Sequence, residues 1–256
     1  MQKHVTPKKR FGQNFLQDTY VITKIVQSID LNPDDNVVEI GPGMGALTIP
    51  VLKELKHLNL IEIDREVISY LSANTTLKDR INLIEADALK YDFNLFGNKL
   101  RVIGNLPYNI STPLLFRLLD FTNIQDMHFM LQKEVVERIC AVPGNKDYGK
   151  LSVIMQYMCK CEMLFIVPPE SFYPAPKVDS AIVRLTPSYK NNSKIDVTKL
   201  NQLVSKAFQM RRKTIYNNLK EDLNKEDWIK IGIDENRRAE QLSLDEYLHI
   251  YQYIYN

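Results

Sequence analysis

Val37-Val38-Glu39-Ile40-Gly41-Pro42-Gly43-Met44-Gly45 is the stretch whose reading decides the fold. It opens as a short, mostly apolar run of strand length and ends on a glycine-rich turn, and the next segment, Leu47–Leu55, can form a helix. Glycines at such a turn let the backbone bend sharply and approach a ligand closely. At the carboxyl edge of a parallel sheet, a strand, a glycine turn and a helix are where a nucleotide-like cofactor docks. The spacing is G-x-G-x-G and not the full G-x-G-x-x-G of dinucleotide sites, so taken alone it also fits a plain structural turn.

Working outward, further runs of strand length lie at Leu58–Ile63, Ile81–Ile84, Leu100–Ile103 and Met127–Leu131, with helix-compatible segments such as Val67–Ala73 between them. Upstream, Val21, Ile22, Ile25, Val26 and Ile29 fall at helical spacing before Asn32-Pro33-Asp34-Asp35 breaks the pattern. Strands alternating with helices predict an α/β fold with a mostly parallel sheet covered on both faces. Leu164–Val167 and Ser180–Leu185, joined by a Pro-rich link without a helix, predict an antiparallel hairpin at the sheet edge. After Pro187 the texture changes. Lys190-Asn191-Asn192-Ser193 reads as a linker, and Leu200, Leu203, Val204, Ala207 and Phe208 mark one apolar helix face. The expected organisation is a domain over 1–187 and a small all-α C-terminal domain over 188–256.

The 256 residues are 45% hydrophobic and 25% charged, enough to bury a real core. Lys plus Arg number 33 against 31 for Asp plus Glu, so net charge does not announce a nucleic-acid partner. Distribution says more: Lys3, Lys8, Lys9 and Arg10 precede the first acidic residue, Asp18, and Arg211-Arg212-Lys213 form a second cluster. Such runs are either solvated surface or phosphate contacts. Three cysteines, Cys140, Cys159 and Cys161, without a C-x-x-C pair speak against a disulfide framework or a structural zinc, and fit reduced thiols of a cytoplasmic protein. The four histidines show no ligand spacing, so no metal is expected. No apolar run approaches ~20 residues, so no membrane span is expected, and the basic N-terminus lacks the apolar stretch of a secretory signal.

The ends of the later strands carry polar groups. Glu62-Ile63-Asp64 closes the second strand, and a carboxylate about 20 residues past the glycines can accept both hydroxyls of a ribose. The spacing from Gly41 favours Glu62, while Asp64 fits a helix cap. Asp87, at the end of the third strand, can accept a hydrogen bond from an adenine amino group. A glycine turn with Gly41 and Gly43, then an acid, then another acid, each at a strand end, fits S-adenosylmethionine, which carries an adenosine and no pyrophosphate.

Asn105-Leu106-Pro107-Tyr108 closes the fourth strand. These residue types suit methylation of an adenine N6 amine, whose lone pair is delocalised into the ring. The Asn105 side-chain carbonyl and the Leu106 main-chain carbonyl can each accept one N6–H bond, drawing the nitrogen toward tetrahedral geometry. Pro107 stiffens the turn, and Tyr108 offers a flat face to a flipped-out base. Phe172 opens the Pro-rich link and either covers the second face of that base or is a core or hinge residue.

The chain resembles the ribosomal RNA adenine N6,N6-dimethyltransferases. The resemblance rests on KRFGQNFLQD (Lys9–Asp18), EIGPGMGALT (Glu39–Thr48), NLPYNISTPLLF (Asn105–Phe116), FYPAPKVDSAIVRL (Phe172–Leu185) and QMRRKT (Gln209–Thr214). It implies a Rossmann-like class I methyltransferase fold and S-adenosylmethionine as cofactor. Asn14 and Leu16 would help close over the cofactor, within a flexible N-terminal lid over 1–18 to which Arg10–Gln13 belong. Gly41 would approach the cofactor by main chain, Glu62 would hold its ribose, Asp87 its adenine, and Asn105 would serve at the reacting amine. The bacterial small-subunit group is the most similar branch. That implies a monomeric cytoplasmic enzyme dimethylating two adjacent adenosines in the 3′-terminal hairpin of 16S RNA, with the small ribosomal subunit as partner. The sister group acting on large-subunit RNA has a similar catalytic segment; the N-terminal, FYPAPK and QMRRKT segments favour the small-subunit group. A DNA adenine methyltransferase would carry a D/N-P-P-Y type segment and a target-recognition insertion. A non-catalytic assembly scaffold would not need Gly41, Glu62, Asp87 and Asn105. The tail departs from the family in lacking an extended basic extension, and its charges nearly balance.

Overall fold

The computed structural model describes residues 13–77, 79–188 and 195–255. The basic residues Lys3 and Lys8–Arg10, the lid segment before Gln13 and the linker at 190–193 lie outside the described residues. The chain divides into two compact units: one takes residues up to Val136 together with Glu162–Pro187, the other Glu137–Cys161 together with the residues from Ser188 onward. Residues 137–161, expected within the domain over 1–187, thus group with the tail.

In the first unit, strand β1 (Phe15–Leu16) leads into helix α1 (Thr19–Ile29). Asp18 caps the helix by accepting the N–H groups of Tyr20 and Val21 at 2.9 and 3.2 Å, and Val21, Ile25 and Ile29 form the buried stripe. There follow β2 (Asn36–Ile40), α2 (Thr48–Glu54), β3 (Leu58–Glu62), α3 (Arg65–Ser72), β4 (Ile81–Glu85), β5 (Leu100–Asn105), α4 (Ser111–Leu118), β6 (Ile124–Gln132) and α5 (Lys133–Cys140). After α6 (Lys150–Met158) come β7 (Cys159–Val167), β8 (Phe172–Tyr173) and β9 (Ser180–Pro187).

Seven strands form one sheet in the order β4-β3-β2-β5-β6-β9-β7. β4, β3, β2, β5 and β6 run parallel, and β9 pairs antiparallel with β6. The expected strands are all present, and the last two are neighbours at the sheet edge. From β2 the chain winds one way through β3 and β4 and the other way through β5 and β6. The crevice outside the carboxyl ends of β2 and β5 is therefore a topological switch point, where open α/β sheets bind ligands. At the other end of β5, buried Arg101 donates to Asp126 at 3.1 Å, to Asp35 at 2.6 Å and to the carbonyl of Asp30 at 2.9 Å. It thereby ties the end of α1 to the starts of β5 and β6.

The Pro-rich link holds more structure than expected. A 3-10 turn at Pro169–Ser171 precedes β8, which pairs antiparallel with β1 in the register Phe15↔Tyr173 and Leu16↔Phe172. The N–H groups of Gln17 and Asp18 donate to the carbonyl of Ser171 at 2.8 and 3.3 Å and extend this small ribbon.

The second unit adds α7 (Val197–Ala207), α8 (Ile215–Leu219), α9 (Lys225–Ile231) and α10 (Leu244–Tyr255) to α6. Leu200, Leu203, Val204 and Ala207 are the buried face of α7, as the periodicity predicts. The rings of Tyr148 and Phe208, and of Phe208 and Tyr247, lie 6.4 and 6.0 Å apart in its core, next to wholly buried side chains such as Trp228.

Candidate active site

The switch-point crevice is a cavity of about 700 Å³ within the first unit. Every site residue named from the sequence borders it: Asn14 just before β1 and Leu16 within it, Gly41 and Gly43 after β2, Glu62 at the end of β3, Asp87 after β4, Asn105–Tyr108 at the end of β5, and Phe172 in β8.

The glycine turn is left-handed at Gly41 (φ 68°) and Gly43 (φ 53°), a region that side chains disfavour. At Gly43 there is a second reason. A Cβ there would stand 3.2 Å from two ring carbons of Phe15, a tight contact that the missing side chain avoids.

Glu62 is almost buried, at 7% exposure. Its Oε1 accepts the main-chain N–H groups of Ile63 and Asp64 at 2.8 and 2.9 Å. Burial pushes its pKa up and those bonds pull it back down. Asp64 caps α3 by accepting the Glu66 N–H at 3.0 Å, as its position suggests, and its other oxygen accepts from Gln13 Nε2 at 3.3 Å. Asp87 Oδ1 accepts the Leu89 N–H at 3.0 Å, and its side chain is one-third exposed.

Asn105 Nδ2 donates to the main-chain carbonyl of Asn14 at 3.0 Å. The bond orients the amide with Nδ2 toward Asn14 and leaves Oδ1 as its acceptor end. Leu106 is buried, and its N–H donates to Met130 at 3.2 Å, which holds the turn onto β6. Tyr108 is fixed at both ends: its hydroxyl lies 3.1 Å from Ser180 Oγ, and its carbonyl accepts from Ser111 Oγ at 3.1 Å. Phe172 is only 6% exposed and belongs to the hydrophobic core cluster with Leu16, while still bordering the cavity.

Sequence reasoning missed Glu39 and Phe15, and it gave Gln13 a place in the lid but no partner. Glu39 borders the cavity from within β2, is 2% exposed, and accepts the Thr48 hydroxyl at 2.7 Å; burial pushes its pKa up to about 7. A carboxylate inside an apolar strand, two residues before the glycine turn, was a visible signal. The contacts of Phe15 with the Gly43 turn and of Gln13 with Asp64 leave no local pattern, because each partner is distant in the chain.

Three carboxylates, Glu39, Glu62 and Asp87, border the cavity, and among the described residues that line it there is no Lys or Arg. Such walls suit a cationic ligand. Among the described residues no group of three or more metal-ligating side chains is assembled, and no helix is long and apolar enough to cross a membrane.

Residues 5–256 match the family model described as ribosomal RNA adenine dimethylase. The chain belongs to that family. A relative from Legionella pneumophila (strain Lens), named ribosomal RNA small subunit methyltransferase A, is 56% identical over 253 residues, covering 98% of this chain and 99% of the relative. A protein of the same name from Nitrosospira multiformis is 52% identical over 250 residues, covering 97% and 96%. Among solved structures, a dimethyladenosine transferase from Plasmodium falciparum matches with a TM-score of 0.80 at 26% identity, over 92% of this chain and 95% of that one. The 23S rRNA methyltransferase ErmE matches with a TM-score of 0.75 at 22% identity, over 95% and 100%, and shows likeness of fold alone. The dimethylase is thus an α/β protein of the Rossmann-like class I methyltransferase fold, and its family and fold are those of S-adenosylmethionine-dependent enzymes.

Proposed function

We propose that this dimethylase transfers methyl groups from S-adenosylmethionine to N6 of two adjacent adenosines in the 3′-terminal hairpin of 16S RNA, late in small-subunit assembly. The observation that carries the reading is one cavity bordered both by three carboxylates and by Asn105–Tyr108. Glu62 accepts the ribose hydroxyls and Asp87 the adenine amino group. Gly41 and Gly43 approach by main chain, and Asn14 and Leu16 close over the cofactor. Bound there, S-adenosylmethionine supplies an electrophilic methyl group.

In the first transfer Asn105 Oδ1 and the Leu106 carbonyl each accept one N6–H bond from the target, and in the second one of them accepts the single N–H that remains. The amine lone pair would thereby be aimed at the methyl group that the bound cofactor supplies. The nitrogen becomes acidic as it is methylated, so its proton passes to solvent without a strong base. Pro107 stiffens the turn, Tyr108 stacks on one face of the flipped adenine, and Phe172 walls the other.

Full-length identity to proteins named for the small subunit favours that RNA over large-subunit RNA. Buried carboxylates converging on a cavity favour an enzyme over a scaffold, which would gain nothing from them. In this reading the sheet unit is the catalytic domain, the helical unit adds RNA contacts, and the protein works as a cytoplasmic monomer. The test is tritium transfer from labelled S-adenosylmethionine to small-subunit particles lacking the modification, mapped by primer extension. Label at two adjacent adenosines of the terminal hairpin is expected; label in large-subunit RNA, or none, overturns the reading.

A further inference from the structure

The segment from Tyr173 to Val178 follows directly on the cavity wall at Phe172 and lies outside both the seven-stranded sheet and the core. Before it stands Phe172, a cavity wall; after it comes Ser180, whose hydroxyl lies 3.1 Å from that of Tyr108. Between these anchors Tyr173, Pro174, Ala175, Lys177 and Val178 are exposed. Strand alternation separates the first two aromatics: Phe172 faces inward at 6% exposure and Tyr173 outward at 62%. Tyr173 is held there rigidly, because its partner across the ribbon, Phe15, is itself a cavity residue with its ring against the glycine turn.

The second observation is electrostatic. RNA must bring phosphates to a mouth whose walls hold the carboxyl groups of Glu62 and Asp87 and, among the described lining residues, no Lys or Arg. A strand approaching such walls needs a cation beside them. Lys177 is the only cation of the Tyr173–Val178 segment, and it is exposed.

We propose that this loop is a lip on which the RNA strand flanking the flipped adenosine is laid, with Tyr173 stacked on the adjacent base and Lys177 against the phosphate between them. The partner is single-stranded RNA, recognised by a π-face and one charge and not by base edges. Since two neighbouring adenosines are the targets, the lip keeps the second stacked while the first is in the cavity. The inference rests on the function proposed above.

The test compares methyl transfer to unmodified small-subunit particles by the wild type, Tyr173→Ala, Tyr173→Trp and Lys177→Ala, with cofactor affinity and melting temperature measured alongside. Tyr173→Ala should lower kcat/KM by about tenfold and Tyr173→Trp by less than about threefold, since stacking tolerates another aromatic. Lys177→Ala should flatten the log–log salt dependence of particle binding by about 0.7, the loss of one phosphate contact to a single strand. Cofactor affinity and melting temperature should stay at wild-type values. Wild-type kcat/KM for Tyr173→Ala together with an unchanged slope for Lys177→Ala overturns the lip and leaves the proposed function standing. A fall in melting temperature or cofactor affinity that accounts for the loss makes Tyr173 structural and also overturns it. If the wild type itself transfers no methyl to the particles, the function fails and the lip with it.

Discussion

Glu39 is a carboxyl group taken out of water with one hydroxyl in exchange. Its pKa rises from 4.5 to about 7. Between those values the folded chain keeps a proton that the unfolded chain has released, so the free energy of unfolding falls as pH rises through this window and levels off above it. The shift corresponds to about 3 kcal/mol. Glu39→Gln should therefore leave stability near wild type at pH 4 and raise it at pH 8 by up to about 3 kcal/mol, read from urea denaturation; parallel curves for the two proteins would remove the buried proton. Glu62 and Asp64 separate by function although they are close in sequence. Glu62→Ala should weaken S-adenosylmethionine binding by about tenfold to a hundredfold in calorimetry. Asp64→Ala should leave it within a few-fold and cost about 1 kcal/mol of stability, the usual worth of a helix cap. Equal affinities for wild type and Glu62→Ala would return the ribose role to another residue. Asn105→Ala removes an acceptor needed chiefly as the amine reacts, so turnover should drop about 100- to 1000-fold. Activity within threefold of wild type would show that the segment is not catalytic.

At the scale of elements, the β1–β8 ribbon matters most, and it was the least legible from sequence. Each strand has two residues, too few for any periodicity, and each is defined by a partner far away in the chain. The sheet strands were readable for the opposite reason: the central parallel strands β2, β3, β5 and β6 are buried on both faces and therefore appear as apolar runs. Phe172 shows how the ribbon mixes roles, being both core residue and cavity wall. Phe172→Ala should cost about 3–5 kcal/mol as a core truncation, which alone would depress activity. Phe172→Leu separates the two roles, since it keeps apolar bulk and loses the flat face. If Phe172 walls the adenine, Phe172→Leu should cut activity by about tenfold with cofactor affinity preserved and a much smaller fall in melting temperature. Full activity in Phe172→Leu would leave it a core residue alone.

At the scale of the whole molecule, the basic cluster of the tail divides. Arg211 donates to Glu240 at 3.1 Å and also to the carbonyl of Lys146, so it holds the helical unit together. Arg212 and Lys213 are exposed. Replacing these two by alanine should flatten the salt dependence of particle binding, whereas Arg211→Ala should act mainly on thermal stability; an unchanged slope for the pair would make them ordinary surface charge. Composition could not draw this distinction, because it depends on which arginine finds an internal partner. Nor did the sequence reading place residues 137–161 with the tail: helices α5 and α6 carry no glycine signature or strand run, and their grouping is decided by packing. That grouping has a consequence for biosynthesis. α6 packs on α7, and Ser188 donates its N–H to the carbonyl of Met158, but α7 ends only at Ala207. A nascent chain elongating at about 5–20 residues per second leaves α6 without this partner for roughly 2–10 seconds. During that interval an apolar helix face waits beside a half-made polypeptide, so a chaperone that shields it, or codons that hurry the ribosome past it, would raise the yield of soluble protein without touching any residue of the finished fold.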